Sequence, residues 1–388
     1  MKTMLLLTCL ICVPIVVQSQ DTVVPSRVSD YEGTVWGVAL GVERSGPVHV
    51  LWTGERPTDQ DFTLFYAKSN DGIAWSPYEV LDNTTIFDPV IVTDEERNRV
   101  HLLYRSNENG ILHRVIESGV MSQPKIVDSP PVLRPSAAVD LETGKLCAVW
   151  GRVEMVVTPS GSTTLRYDPY IGMWDGSSWS EPRNVASSAS VWDVAVGSDG
   201  QIAVAWLETN AGIPTTRFAT ADMQLGDPVP LALGYPYPEK DDSVSLGFSP
   251  LDGRFHALTS HLLWAGSSDI YHFRWEGDRW SSPENISSSP TPRFSARPYF
   301  GSSADVPFLY YSWMEALDVR ETIFSRADLG GILAPIEDVG QYFENIGVHI
   351  SFTGMHKSTL GADGFAHLVI GESQYQSMGM YYLRLPEP

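Results

Sequence analysis

Two series of residues recur through this sequence, and their polar members have the chemistry of acid–base catalysis on a charged ligand. The first series is Trp36, Asp88, Arg134, Asp193, Ser243, Arg297 and His349. The second is Gly54, Ser106, Arg152, Glu208, His261, Glu315 and Glu372. Pairs among Asp88, Asp193, Glu208, Glu315 and Glu372 can supply a general acid facing a base or nucleophile. His261 or His349 can take a proton alpha to a uronate carboxylate in an elimination. Arg134 and Arg297 can clamp a carboxylate or sulfate with two parallel hydrogen bonds. Arg152 and Glu372 complete the expected binding set, and Trp36 and Trp192 offer ring faces to a sugar. Crowding such groups into one space drives their pKa values apart, as acid–base chemistry requires. Charged residues at such positions also form rings of salt bridges between neighbouring units, so the Glu and Arg set has a structural reading beside the catalytic one.

Other chemistry finds no motif. There is no His-x-x-x-His spacing for zinc, the Cys-x-x-Cys pair Cys9/Cys12 falls in the expected export signal, and there is no glycine-rich phosphate loop and no Gly-x-Ser-x-Gly elbow. No cofactor is implied, and a structural calcium ion is left open. His49, His101, His256 and His367 share one repeat position with Cys147 and Ala203, which marks them as packing residues. Cys147 lies in the apolar run Leu146 to Trp150 and reads as a core thiol.

The elements that position these residues follow from an internal period. A β-branched and aromatic strand ends at residues 52, 104, 150, 206, 259, 313 and 370, giving seven copies 46 to 57 residues apart. A second mark, Pro-x-x-(Val/Ile/Leu), runs in phase at Pro77/Val80, Pro124/Val127, Pro182/Val185, Pro228/Leu231 and Pro283/Ile286, with a looser Pro335/Val339. Proline is confined to sheet edges, so this strand is outermost in each unit. Each unit reads as four short antiparallel strands, the third and fourth often joined by a tight turn such as Asp71-Gly72-Ile73-Ala74-Trp75, Asp175 to Trp179 or Glu276 to Trp280. That is a propeller blade.

The fold class predicted is therefore all-β: a seven-bladed β-propeller. The last unit stops after its third strand, near Tyr381 to Arg384, while Pro25-Ser26-Arg27-Val28 carries the missing outer-strand mark. The N-terminal strand is expected to complete the last blade and to cover an otherwise open edge. In this arrangement both polar series surround one mouth of the central funnel.

The tight turns resemble the Asp-box, Ser-x-Asp-x-Gly-x-x-Trp, of the sialidase-like and related BNR-repeat propellers. The nearest copy is Ser69-Asn70-Asp71-Gly72-Ile73-Ala74-Trp75, one residue short between Asp and Trp, and the other two copies lack the serine. The resemblance implies a propeller in which these turns are structural. Sialidases of this type usually have six blades, whereas seven-bladed relatives include fucose-binding lectins and some polysaccharide lyases. A carbohydrate-processing enzyme, hydrolase or lyase, with one asymmetric site in the funnel is the expectation; the alternatives are a glycan-binding lectin and an extracellular protein-interaction scaffold.

The bulk composition bounds partners and location. Lys2 followed by the apolar run Met4 to Val17 reads as an export signal over residues 1–19, leaving a single domain over 20–388. Two of the three cysteines fall in that signal. A secreted location is expected, or the periplasm of a bacterium, with no membrane association once the signal is removed. The formal charge of −21 repels phosphate backbones and excludes nucleic acid as a natural partner. A glycan or polysaccharide is the expected partner, and the chain is expected to be a monomer. Asn83-Thr84-Thr85 and Asn285-Ile286-Ser287 fit the glycosylation sequon.

Overall fold

The computed structural model describes residues 23–385 except 32, 56–61, 85, 158–160, 209–213, 232–240, 263–267, 288–293, 304, 317–320, 349, 351–354 and 373–378. The export segment expected over residues 1–19 lies outside them.

Seven antiparallel sheets form the seven blades of a β-propeller. Their inner strands are Val35–Val42, Ile86–Asp94, Val132–Val139, Ala189–Val196, Asp241–Ser249, Phe294–Gly301 and Met355–Leu360. The second strands include Val48–Glu55, Arg99–Ser106, Leu146–Val157 and Ile202–Glu208. These read as continuous apolar runs because each sheet is covered on both faces by its neighbours. The core is accordingly divided into seven layers, one between each pair of adjacent blades. Leu51, Leu64 and Tyr66 of blade 1 meet Leu102 and Tyr104 of blade 2 in one layer, and blades 6 and 7 share Met314, Ile323, Leu368 and Leu383 in another. Trp52, Tyr104, Trp150 and Trp313, all from the repeat, are completely buried.

Every proline mark lies on, or immediately before, an outermost strand. The hydrophobic residue three positions on is buried in six blades, as Val28, Val127, Val185, Leu231, Ile286 and Val339. Blade 1 departs from this: the register slips between Leu64 and Phe65, leaving Val80 at 44% exposure while Leu81 packs inward.

The ring closes as predicted. Ser26–Ser29 pairs with Gly379–Leu385, Ser26 opposite Tyr382 and Arg27 opposite Tyr381. Ser26 Oγ donates to Gly72 O (2.7 Å) and accepts the Trp75 indole N–H (3.0 Å), so the same residue ties blade 7 to the turn of blade 1. In that turn Asp71 Oδ1 accepts the N–H groups of Ile73 and Ala74, both at 2.8 Å. Asp175 closes the blade 3 turn in the same way. These bonds stabilise the charged form and hold the Asp175 carboxyl down at about 2.

The repeated histidines pack within the blades. His49 bonds Tyr66 (2.7 Å), His367 bonds Tyr382 (2.5 Å), and His101 and His256 meet His113 and His272 at 3.0 and 2.8 Å. Cys147 is fully buried, which pushes its thiol pKa up and keeps it protonated. Of the two sequon asparagines, Asn83 is exposed, whereas the Asn285 amide donates to Asp269 (3.0 Å) and Ser287 is buried.

Candidate functional site

The inner strands of all seven blades line a central cavity of about 690 Å³. At one mouth the inner strands of blades 1 to 6 each lose register at a comparable level. The slips fall at Val35/Gly37, Phe87/Val90, Leu133/Ser136, Ala189/Trp192, Asp241/Ser243 and Ala296/Tyr299. In three blades the irregularity contains a charged residue followed by proline: Asp88-Pro89, Arg134-Pro135 and Arg297-Pro298. Proline has no N–H to give the ladder, so pairing breaks there. Asp88 and Arg134 also take positive φ, 53° and 44°, a conformation that side chains other than glycine enter only when the surroundings enforce it. A bulge re-aims the side chain it carries, and here a ring of bulges surrounds the mouth.

Asp88 is the electrostatic centre of this mouth. It lies near the backbone N–H of Arg134 and the guanidinium groups of Arg105 and Arg134. Burial nevertheless outweighs these attractions and raises its carboxyl above the usual range. Burial likewise lowers Arg105, opposed by Asp88. The Arg134 guanidinium is exposed and donates one hydrogen bond, to Ser190 O at 3.1 Å. Trp36 is 46% exposed at the same mouth, its ring held edge-on by Phe62 at 5.6 Å.

Asp193 lines the cavity but sits deeper than the bulges, level with Val90, Ser136, Tyr299 and Lys357. Both its oxygens are engaged. Ser136 Oγ and the Val194 N–H donate to one (the latter at 3.0 Å), and the Leu246 N–H donates to the other at 2.8 Å. It joins blades 3, 4 and 5. Trp192 is also mostly committed: it is 6% exposed and gives its indole N–H to Arg134 O at 2.6 Å.

The remaining expected residues divide. Arg152 forms a bidentate ion pair with Asp128 (2.7 and 3.0 Å) and stacks over Tyr170, away from the cavity lining. Glu315 is buried inside its blade and accepts the Trp313 indole N–H (2.8 Å). Glu208 is exposed and receives Thr215 Oγ1 at 3.4 Å. The side chains of His261, Arg297 and Glu372 lie outside the described structure, as does His349 altogether.

Three cavity residues escaped sequence reasoning. Lys357 Nζ sits 4.3 Å from the centre of the Tyr299 ring, and His356 meets that ring edge-on at 4.8 Å. All three line the cavity on blades 6 and 7, across from Asp88 and Arg134. A signal for this existed. Trp36, Asp88, Arg134 and Arg297 each precede the repeat aromatic of their blade by 16 residues. The same interval points to residue 190 in blade 4 and 354 in blade 7. It therefore puts Asp193 below the mouth ring, and the inner strand of blade 7, Met355–Leu360, beyond His349. Among the described residues no group of three or more His, Cys, Asp or Glu side chains is placed to hold a metal ion.

No protein-family model and no curated protein matches the chain. Solved structures do. The chain is similar to a polysaccharide lyase of the PL25 ulvan lyase family (TM-score 0.60, 13% identity, 93% of this chain and 96% of that one). It is also similar to polysaccharide lyase Uly1 (TM-score 0.51, 11% identity, 93% and 90%) and to the Hadza microbial sialidase Hz136 (TM-score 0.50, 12% identity, 81% and 68%). What they share is the β-propeller fold. At such identities the residues of the mouth must speak for themselves. They comprise an exposed arginine, a desolvated carboxylate and an exposed indole, with a Tyr–His–Lys group opposite and deeper in the channel wall.

Proposed function

We propose that this protein is an extracellular enzyme that cleaves an acidic polysaccharide at the bulged mouth of the channel by β-elimination. The observation that carries this reading is the distribution of carboxylates. A glycosidase needs two carboxyl groups flanking the scissile bond. Among the described side chains near this mouth, Asp193 has both oxygens bonded within the wall and Asp88 faces two guanidiniums. Glu208 and Glu315 lie off the cavity. The groups left are cationic and proton-exchanging.

In an elimination, Arg134 holds the uronate carboxylate and draws off the charge that develops when the proton alpha to it is removed. The Tyr299 phenolate takes that proton. The electron pair of the C5–H bond forms the new C4–C5 double bond as the C4–O glycosidic bond breaks, and the departing oxygen takes the proton back from the Tyr299 hydroxyl. Lys357, beside the Tyr299 ring, adds positive charge to the wall that faces the polyanion. Trp36 supplies a face for a sugar ring.

Support from fold comes from an ulvan lyase of the PL25 family described as bound to -[GlcA(1-4)Rha3S]-, to which the chain is similar with TM-score 0.58 at 12% identity. Export through the apolar segment at residues 4–17 belongs to the same proposal.

The test is incubation with ulvan, pectic polymers and sialosides, following both new reducing ends and the ultraviolet absorbance of unsaturated uronates. Elimination gives both signals from a uronate polymer. Reducing ends without absorbance mean hydrolysis, and retention on a polymer with neither signal means binding alone; both contradict the proposed reaction.

A further inference from the structure

One blade carries a surface that the chemistry at the mouth does not use. In blade 3 the second and third strands, Leu146–Val157 and Thr163–Trp174, are each 12 residues long and stay in register to Val157 opposite Thr163. The second strands of the other blades end at Glu55, Ser106, Glu208, Leu262, Ala316 and Glu372, level with Arg152 or one residue beyond. The blade 3 hairpin thus stands above the mouth by about five residue pairs, roughly 17 Å at strand rise.

The hairpin is two-faced. On one side Arg166 bonds Glu154 and Asp168, so the charges there compensate one another. On the other side Gly151, Val153, Met155 and Val157 alternate outward, opposite Pro169, Tyr167, Leu165 and Thr163. Trp192, in the channel wall, covers the foot of this face: a Cβ on Gly151 would lie 2.2 Å from its ring. Tyr167 packs against the core layer that contains Trp192 and Ala189. Higher up, Met155, Leu165 and Val157 are 79%, 52% and 68% exposed. An apolar strip therefore runs without interruption from the channel wall to the hairpin tip.

We propose that this strip is a rail for a polysaccharide chain leaving the mouth, so that the ligand is a polymer and not a short oligosaccharide. The proposal rests on the glycan site argued above. Continuity decides the occupant, since Trp192 joins the cavity lining to the foot of this face and a chain held beside Arg134 can extend along it. Sugar rings have apolar C–H faces that pack on aliphatic side chains and on Tyr167, while their charged groups point to water. A strip two side chains wide matches one chain.

The experiment compares the full-length protein with Met155→Ser/Leu165→Ser, and with a second variant in which Glu154–Arg166 is replaced by Asn-Gly. Affinity electrophoresis in gels containing ulvan or polygalacturonate measures retention, and inhibition of retention by a tetrasaccharide of the same polymer measures occupancy of the mouth. Both variants should lose polymer affinity by about tenfold with tetrasaccharide affinity unchanged. Equal loss for both ligands, or no loss for either, overturns the rail. So does a dimeric wild type that both variants convert to monomer, because the face would then be an interface between copies. A retained wild type without unsaturated products contradicts the elimination but leaves the rail standing if the variants lose retention. A wild type retained by neither polymer overturns both.

Discussion

The Asp88 carboxylate lies beside Arg134, facing its backbone N–H and its guanidinium, so the bulge of blade 2 meets the bulge of the neighbouring blade 3 at the channel mouth. Both residues hold positive φ there. The raised carboxyl of Asp88 means that its charge destabilises the fold, despite Arg105 and Arg134. A group whose folded pKa exceeds its unfolded value binds protons more readily in the fold. Its contribution to stability is complete below the unfolded pKa of an aspartate and is lost as pH rises through the folded value. Asp88→Asn keeps the size and polarity of the side chain and removes the titration. The stability of the wild type relative to this variant should grow as pH falls from 7 toward 4, measured by denaturant unfolding. A difference that shrinks instead would place Asp88 in a net favourable ion pair.

Gly151 is required by Trp192. A methyl group there overlaps the indole ring, and the neighbour is a rigid side chain held by its bond to Arg134 O. Gly151→Ala should cost about 1–3 kcal/mol of stability and weaken ligand binding at the mouth by displacing the Arg134 backbone. Thermal unfolding and a shift in tryptophan emission are the readouts. An unchanged melting temperature and spectrum would show that Trp192 is not fixed on Gly151.

The blade seams offer a matched pair of substitutions. Ser26 and Lys125 occupy the same place in their Pro-x-x-Val marks. Ser26 caps the Trp75 indole, whereas Lys125 has only donors; it points to Ser177 O (3.1 Å), and the Trp179 indole N–H is buried with no partner. Ser26→Ala should destabilise by about 1–2 kcal/mol, and Lys125→Ser should stabilise by about 1 kcal/mol, by supplying the missing acceptor. Unfolding in guanidinium measures both; changes of the same sign in both variants would refute the equivalence.

The buried histidine pair in blade 2 makes the fold acid-sensitive. Burial lowers His101 to about 4 and His113 to about 3. Folded values below the unfolded one mean that the unfolded chain binds more protons between pH 6.5 and about 4, so stability falls as pH falls through that window. Each histidine contributes a slope approaching 1.4 kcal/mol per pH unit. Replacing both with glutamine should flatten the pH dependence of unfolding between pH 6.5 and 4.5. An unchanged slope would mean that the pair is protonated in the fold.

Much of this architecture is written in local chemistry. Proline at a sheet edge leaves no choice of position, so all seven outer strands, including the N-terminal one, can be read from the Pro-x-x-Val mark. The mark fails only where a register slip exchanges Val80 for Leu81. The helix Gly340–Glu344 went unseen because a single turn of helix buries Phe343 between blades 6 and 7 without any periodic pattern. The same long connection carried the expected mouth residue of blade 7 to His349, and hid Lys357 and His356 on the strand beyond. Glu315 lies next to the end of its second strand as expected, whereas Arg152 falls mid-strand because the blade 3 hairpin runs on to Val157. Whether such side chains turn into the cavity or into the blade depends on partners such as Trp313 and Asp128, which are fixed by packing and not by spacing.

Arg134 is the most exposed charged residue of the mouth among the described side chains. The decisive measurement is release of unsaturated product from an acidic polymer by Arg134→Ala, with its unfolding curve recorded alongside. Turnover should fall by about 10² or more while the melting temperature stays within about 2 °C of wild type, since a single exposed guanidinium contributes little to stability. Full activity in this variant, or activity lost only in step with stability, would contradict a site at this mouth.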